Sequence, residues 1–240
     1  VALWGTDGHD GLLLCSSMTD ILPYNTTMNL PRFFCPQPLS ANTRIDLPEN
    51  AARHACRVLR LRAGDGLVLF DGCGGEYTSR IADVARERVS VDLLERRNVE
   101  REAPISITLV QALQSGEKMD LTVQKAVELG VQRIVPVTSR RGVVRLEGER
   151  ALRRVEHWRG VVVSACEQSG RNRVPEVSSL ESLERWLGKP VGVRVRRLML
   201  APGAETTLDR IEPLAAGEQI ELLIGAEGGL APDEMEKAAL

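Results

Sequence analysis

Ile105-Ser106-Ile107-Thr108-Leu109-Val110-Gln111-Ala112-Leu113 is the run whose reading decides the fold. Apolar side chains recur without leaving a solvent-facing stripe. A strand buried on both faces has that composition, and such strands belong to parallel sheets covered by helices. Downstream the rhythm repeats. A helix is read from about Glu117 to Leu129 with Gly130 as its stop, then a strand at Ile134-Val135-Pro136-Val137, then a long helix from about Gly148 to Gln168. Arg197-Leu198-Met199-Leu200 and Ile220-Glu221-Leu222-Leu223-Ile224 are further strands. This alternation predicts an α/β fold with a mostly parallel sheet and helices on its faces.

Upstream, Asn98 to Pro104 is charged and ends in proline, which places a domain boundary there. From residue 28 to about 100 the chain reads as short strands and tight turns, a small β-barrel. Arg44-Ile45-Asp46-Leu47 is strand-like, and Pro48 to Leu59 reads as a helix with Pro48 in its first turn. Asp71-Gly72-Cys73-Gly74-Gly75 is a hairpin-type turn into Tyr77 to Val84, and Val89, Val91 and Leu93 alternate as in a half-buried strand. Residues 1–27 do not share this pattern. Their short apolar run is flanked by Asp7 and Asp10, not by the positive start of a signal peptide, and the segment reads as a disordered or non-native extension.

The chain has 240 residues, enough for two small domains with their own cores. No apolar run approaches the roughly 18 residues of a membrane span. Five cysteines without a C-x-x-C pair argue against structural zinc and against a disulfide framework, and no metal is expected. The net charge of −2 does not mark a nucleic-acid binder, but its distribution does. Arg32, Arg44, Arg53, Arg57, Arg60 and Arg62 face only Asp46 and Glu49 within one segment. The stretch from Arg133 to Arg173 is again arginine-rich, which suits bidentate phosphate contacts. An arginine-preferring genome would give the same composition.

Two groups of residues carry chemistry. Ligands of open α/β sheets bind beyond the carboxyl ends of the strands. Leu200-Ala201-Pro202-Gly203-Ala204 and Gly225-Ala226-Glu227-Gly228-Gly229-Leu230 are expected there. The paired glycines let backbone groups approach a ligand, although a tight strand-to-helix turn needs them too. The second group is Ser164 to Glu176. Leu152, Val155, Trp158, Val162 and Ala165 form one helix face, Gly170 is a left-handed stop and Pro175 blocks a restart. Glu167, Gln168, Arg171, Asn172 and Arg173 then cluster at the helix end. Arg171 and Arg173 can neutralise phosphate and Asn172 can pair with a base edge; a solvated helix end with a salt bridge reads the same residues without function. Cys166 falls on the apolar face and is read as core. No G-x-G-x-x-G, Walker loop or G-x-S-x-G elbow is present.

Glu167 to Glu176, Ser115-Gly116-Glu117-Lys118-Met119-Asp120 and Gln124 to Val131 together resemble the RsmE family, 16S ribosomal RNA uracil-N3 methyltransferases of the SPOUT superfamily. The likeness runs from about Met28, which looks like the natural start, to the last residue. It implies a SPOUT-type knotted parallel sheet over residues 104–240, and a PUA-like RNA-binding barrel over residues 28–100. The chain is expected to stop short of the family's final strand, cofactor-covering loop and knot-threading helix. The implied cofactor is S-adenosyl-L-methionine, held by Leu200, Pro202, Gly203, Ile224, Gly225, Glu227, Gly228 and Gly229. Ala226 stands where the family has proline, and Ser139 where it commonly has glutamate.

The resemblance also implies roles for the polar residues. Arg140, Arg171 and Asn172 would hold the target uridine, and Glu167 would assist removal of its N3 proton. Arg32, Arg53, His54, Arg57, Arg60 and Arg173 would contact RNA, with Arg53, Arg57 and Arg60 on one helix side. The implied partner is 16S ribosomal RNA in the 30S subunit, and the implied state is a cytoplasmic homodimer without membrane attachment. A non-catalytic RNA-binding protein retaining the barrel is the alternative. A small-molecule methyltransferase is disfavoured by the arginine-rich patches and the extra barrel.

Overall fold

The computed structural model describes residues 30–86, 88–204, 206–207 and 210–239. The reading of residues 1–27 lies outside them. The N-terminal sheet contains β1 (Arg32–Phe34), β2 (Arg44–Asp46), β3 (Gly66–Phe70), β4 (Glu76–Ala85) and β5 (Arg88–Arg97). Their order is β1-β3-β4-β5-β2, with β1 and β3 parallel and the other pairs antiparallel. Leu69 pairs with Tyr77 across the glycine-rich turn, so the expected hairpin forms. Phe33, Leu67, Leu69, Ile81, Val91 and Leu93 are buried in its core.

The second sheet contains β6 (Ser106–Ala112), β7 (Arg133–Thr138), β8 (Glu176–Val177), β9 (Glu181–Ser182), β10 (Val195–Leu200) and β11 (Gln219–Ile224). The order is β10-β11-β6-β7-β8, with β9 pairing further along β7, and every pairing is parallel. Consecutive residues of β6 enter different cores. Leu109 packs with Val123, Val127, Val155, Trp158 and Val162 of α2 (Lys118–Glu128) and α3 (Gly148–Ser169). Val110 packs on the opposite face with Leu183 and Trp186 of α4 (Leu183–Leu187). This two-sided burial is why the run looked uniformly apolar. The last helix is α5 (Pro232–Ala239).

Several local expectations change. The helix read from Pro48 to Leu59 is α1 (Glu49–Arg53) followed by a π-helical stretch, His54–Val58. Arg60 lies beyond it with φ of 55°, so it does not share a helix side with Arg53 and Arg57. Leu152 is 67% exposed, because only Val155, Trp158, Val162, Ala165 and Cys166 of α3 reach the core. Gly170 caps α3 at φ 82°, as its place at the helix end predicts.

The hairpin turn docks on the segment after α3. Gly74 N donates to Asn172 O and Val174 N to Gly72 O. Cβ atoms could not be added there freely, since one on Gly74 would stand 2.9 Å from Arg173. Glu76, at the base of this turn, is buried and accepts from Arg32 at 2.7 Å and Arg101 at 2.8 Å. Burial pushes its carboxyl up, but the Arg101 and Arg32 guanidiniums outweigh burial and hold it down to about 2.

A carboxyl depressed in the folded state stabilises fully above the unfolded value near ~4.3 and loses that stabilisation as pH falls through its folded value. Glu76→Gln is therefore expected to lower the unfolding free energy at neutral pH by about 3 kcal/mol. It should also flatten the loss of stability between about pH 4.5 and pH 2. Urea denaturation at a series of pH values checks both; an unchanged acid limb would contradict the assignment.

Candidate functional site

Parallel register brings four strand ends to one edge. Leu200 pairs with Ile224, Ile224 with Gln111, and Ala112 with Val137. The segments that follow, 113–117, 139–142, 201–204 and 225–230, therefore leave the sheet side by side. Gln111 is buried and its Nε2 donates to Ala112 O at 3.0 Å and Gly225 O at 3.2 Å, tying the glycine-rich turn to β6. Sequence reasoning missed Gln111; its signal was a lone amide inside an apolar strand.

The turn closes on itself through Gly229 N to Ala226 O at 2.9 Å. A Cβ on Gly225 would stand 3.2 Å from Gly229 C, and one on Gly228 3.1 Å from Arg141 O. Gly203 and Gly229 have φ of 76° and 68°, and no atom lies within 4 Å of where their Cβ would stand. Backbone at this edge is thus both closely packed below and open above. Glu227 accepts from Ser115 N at 3.2 Å and Ser115 Oγ at 2.8 Å, and pairs with Lys118 at 3.2 Å. Its own backbone N–H, then Ser115 and Lys118, hold the carboxyl down to about 2.

Arg140 joins this edge through the first turn of α5. Glu234 is buried and accepts from Ala231 N at 2.8 Å and from Arg140 N at 2.9 Å. The Arg140 side chain is 63% exposed and pairs with Asp233 at 2.9 Å. One buried carboxylate therefore caps α5 and fixes the loop after β7, while the Arg140 guanidinium stays at the surface. Ser139 Oγ beside it is buried without a hydrogen-bond partner. Leu200 and Ile224 add an apolar floor, and Leu200 is exposed. Open backbone positions and aliphatic side chains at this edge leave room for a ligand.

The other candidates lie elsewhere in the structure. Arg171 is 4% exposed, and its donors go to both oxygens of Glu102 and to the carbonyls of Val127 and Val131. Those carbonyls precede β7, so Arg171 sits at the amino end of the sheet, roughly 20 Å from the glycine turn at about 3.3 Å per residue. Asn172 is fully buried, accepting from Arg32 at 2.6 Å and donating to Val99 O at 3.0 Å. Glu167 accepts from Phe34 N at 3.0 Å, and burial raises its carboxyl despite that bond. These three residues join the linker and the N-terminal sheet to the parallel sheet. Four hydrogen bonds hold the buried Arg171 guanidinium in this arrangement.

The RNA candidates also divide. Arg32 is spent on Glu76 and Asn172 and lies 5.2 Å over the Phe70 ring. Arg53, Arg57 and Arg60 are exposed, Arg53 with an i,i+4 partner in Glu49 at 2.5 Å. Arg173 is exposed and pairs with Glu100 at 2.9 Å. His54 is half-buried, edge-on to Phe33 at 5.8 Å. Cys166 is core: burial pushes its thiol up to about 12. Among the described residues no three His, Cys, Asp or Glu gather as a metal site, and no helix is long and apolar enough to cross a membrane.

Comparison with known proteins agrees with the two-sheet plan. Residues 101–240 match an RNA methyltransferase domain and residues 47–94 an RNA methyltransferase PUA domain. The ribosomal RNA small subunit methyltransferase E of Mycobacterium bovis is 34% identical over 190 residues, 76% of this chain and 70% of that protein. The protein of the same name from Buchnera aphidicola (Schizaphis graminum) is 29% identical over 208 residues, 87% of this chain and 83% of that one. The structure of a ribosomal RNA small subunit methyltransferase E from Neisseria gonorrhoeae bound to S-adenosyl methionine superposes with a TM-score of 0.82 at 39% identity, covering 88% of this chain and 85% of that one. A Legionella pneumophila protein solved with SAM also gives 0.82, at 30% identity over 88% and 85%.

The two arginines should respond unequally to truncation. Arg171→Ala strands Glu102 in the interior and is expected to cost about 3–5 kcal/mol of stability. Arg140→Ala removes an exposed pair and should change stability by under about 1 kcal/mol. Chemical denaturation of both variants distinguishes them, and equal losses would contradict this placement.

Proposed function

This chain belongs to the ribosomal RNA small subunit methyltransferase E family, and from that premise we propose that it methylates small-subunit ribosomal RNA using S-adenosylmethionine. The observation that carries the reading is the gathering of Leu200, Gly203, Ile224, Gly225, Gly228 and Gly229 with Arg140 at one edge of a parallel sheet. On the resemblance, the finer reading is transfer to N3 of a uridine in 16S RNA within the 30S particle, by a knotted, cytoplasmic homodimer. Residues 28–100 act as a barrel that grips RNA and residues 104–240 as the methyltransferase domain, which accords with the spans of the two matched models.

The cofactor supplies an electrophilic methyl group on a sulfonium. The chain supplies alignment, which can lower such a barrier by roughly 7–11 kcal/mol. Backbone groups of the 201–204 and 225–230 turns would hold the donor, with Leu200 and Ile224 supplying apolar surface beside it. The Arg140 guanidinium would stand beside the uracil carbonyl oxygens, where negative charge develops as the N3 proton passes to solvent water and N3 takes the methyl group from the sulfonium. Of the four residues assigned to chemistry from sequence, Arg140 lies at this edge and the reading gives it the transfer step; Arg171, Asn172 and Glu167 lie toward the other end of the sheet.

Incorporation of labelled methyl groups into small-subunit RNA tests the reading, with nuclease mapping of the product. Wild-type protein should label one uridine, and Arg140→Ala should lower kcat about 10²-fold. Absence of transfer, or an Arg140→Ala rate equal to wild type, would contradict it.

A further inference from the structure

A cleft lies away from the glycine turns. It has a volume of about 810 Å³ and opens between the N-terminal sheet with α1 on one side and α3 with the β8 segment on the other. Phe34, Pro36 and Pro48 give it an apolar wall, and His54 and Glu167 also line it. β8 pairs with the first residues of β7, Arg133 and Ile134, so this cleft is at the amino end of the parallel sheet. It is a different place from the edge that holds Arg140.

We propose that this cleft binds an unstacked guanine of the RNA substrate, read through the Glu167 carboxylate. The proposal rests on the RNA-methyltransferase reading for its source of RNA. Sequence-specific RNA recognition takes unstacked bases, stacks them on flat side chains and bonds their Watson–Crick edges. The volume falls in the ~300–1,000 Å³ range of small-ligand sites. Glu167 Oε1 takes the Phe34 N–H at 3.0 Å, and Oε2 has no hydrogen-bond partner among the described residues. The half-buried carboxylate thus keeps one oxygen open to solvent or to a ligand.

Guanine is the base that supplies two adjacent donors, N1–H and the N2 amino group, at the spacing of two carboxylate oxygens. Adenine and cytosine offer one amino group beside an acceptor, and uracil one N–H between two carbonyls. Glu156 and Glu176 also line the cleft, Glu156 paired with Arg159 at 3.0 Å, and Arg53 and Arg57 are exposed near His54 in the chain.

The test is fluorescence anisotropy with short labelled oligouridines carrying one central guanosine or one central adenosine. Wild-type protein should bind the guanosine oligomer about tenfold tighter, the size expected of one bidentate base contact. Glu167→Gln, which keeps an acceptor for Phe34 N but presents an amine to guanine, should abolish the preference. So should Ser164→Trp, which fills the cleft from an exposed position on α3 and decides the matter if the first variant fails to fold. A wild-type ratio below twofold, or a preference surviving in a folded variant, overturns the proposal. So would loss of preference with tight binding of an arginine-rich peptide, which would give the cleft to a cationic partner. Methyl incorporation assayed in parallel separates the two ideas: transfer without guanine preference removes the pocket alone, and guanine preference without transfer removes the enzyme reading alone.

Discussion

In-register parallel pairing of β10, β11, β6 and β7 is the constraint on which the rest of the molecule depends. Parallel neighbours cannot be joined by tight turns, so each connection must return across a face of the sheet. Every strand then ends at the same edge. Polar backbone at that edge has no ladder partner and must be satisfied by its own turns, by buried side chains or by a ligand. Gln111 and Glu234 do the second of these, which leaves the upper side of the 201–204 and 225–230 turns to the third.

At the other end of the sheet the problem is union of two cores. Arg171 with Glu102, Arg32 with Glu76 and Arg101, and Asn172 between Arg32 and Val99 form one polar layer there. Buried ion pairs stabilise little relative to apolar packing, because desolvation offsets most of the attraction. They do fix geometry, since each guanidinium has one arrangement that satisfies its donors. That layer sets the relation of hairpin turn to helix end and so defines the cleft lined by His54 and Glu167.

The elements of the α/β half were legible because burial and punctuation act over short distances. Leu109 and Val110 had to be apolar to enter opposite cores, and Gly130 and Gly170 had to be glycine to turn left-handed at φ 98° and 82°. The break of the first helix into a π-helical stretch was not legible, since Ala51, Ala52 and Ala55 suit either winding. For the site, glycines and Arg140 were readable and the fate of Arg171 was not. A guanidinium that pairs with a buried glutamate 69 residues away carries the same letters as one awaiting a phosphate. Only tertiary contact separates them, and no local pattern encodes a partner at that distance.

Hydrogen–deuterium exchange with and without S-adenosylmethionine probes the central claim most directly. The account predicts slowed exchange in 113–117, 201–204 and 225–230, and no change in 167–173. Protection confined to 167–173, with the glycine turns unaffected, would contradict it.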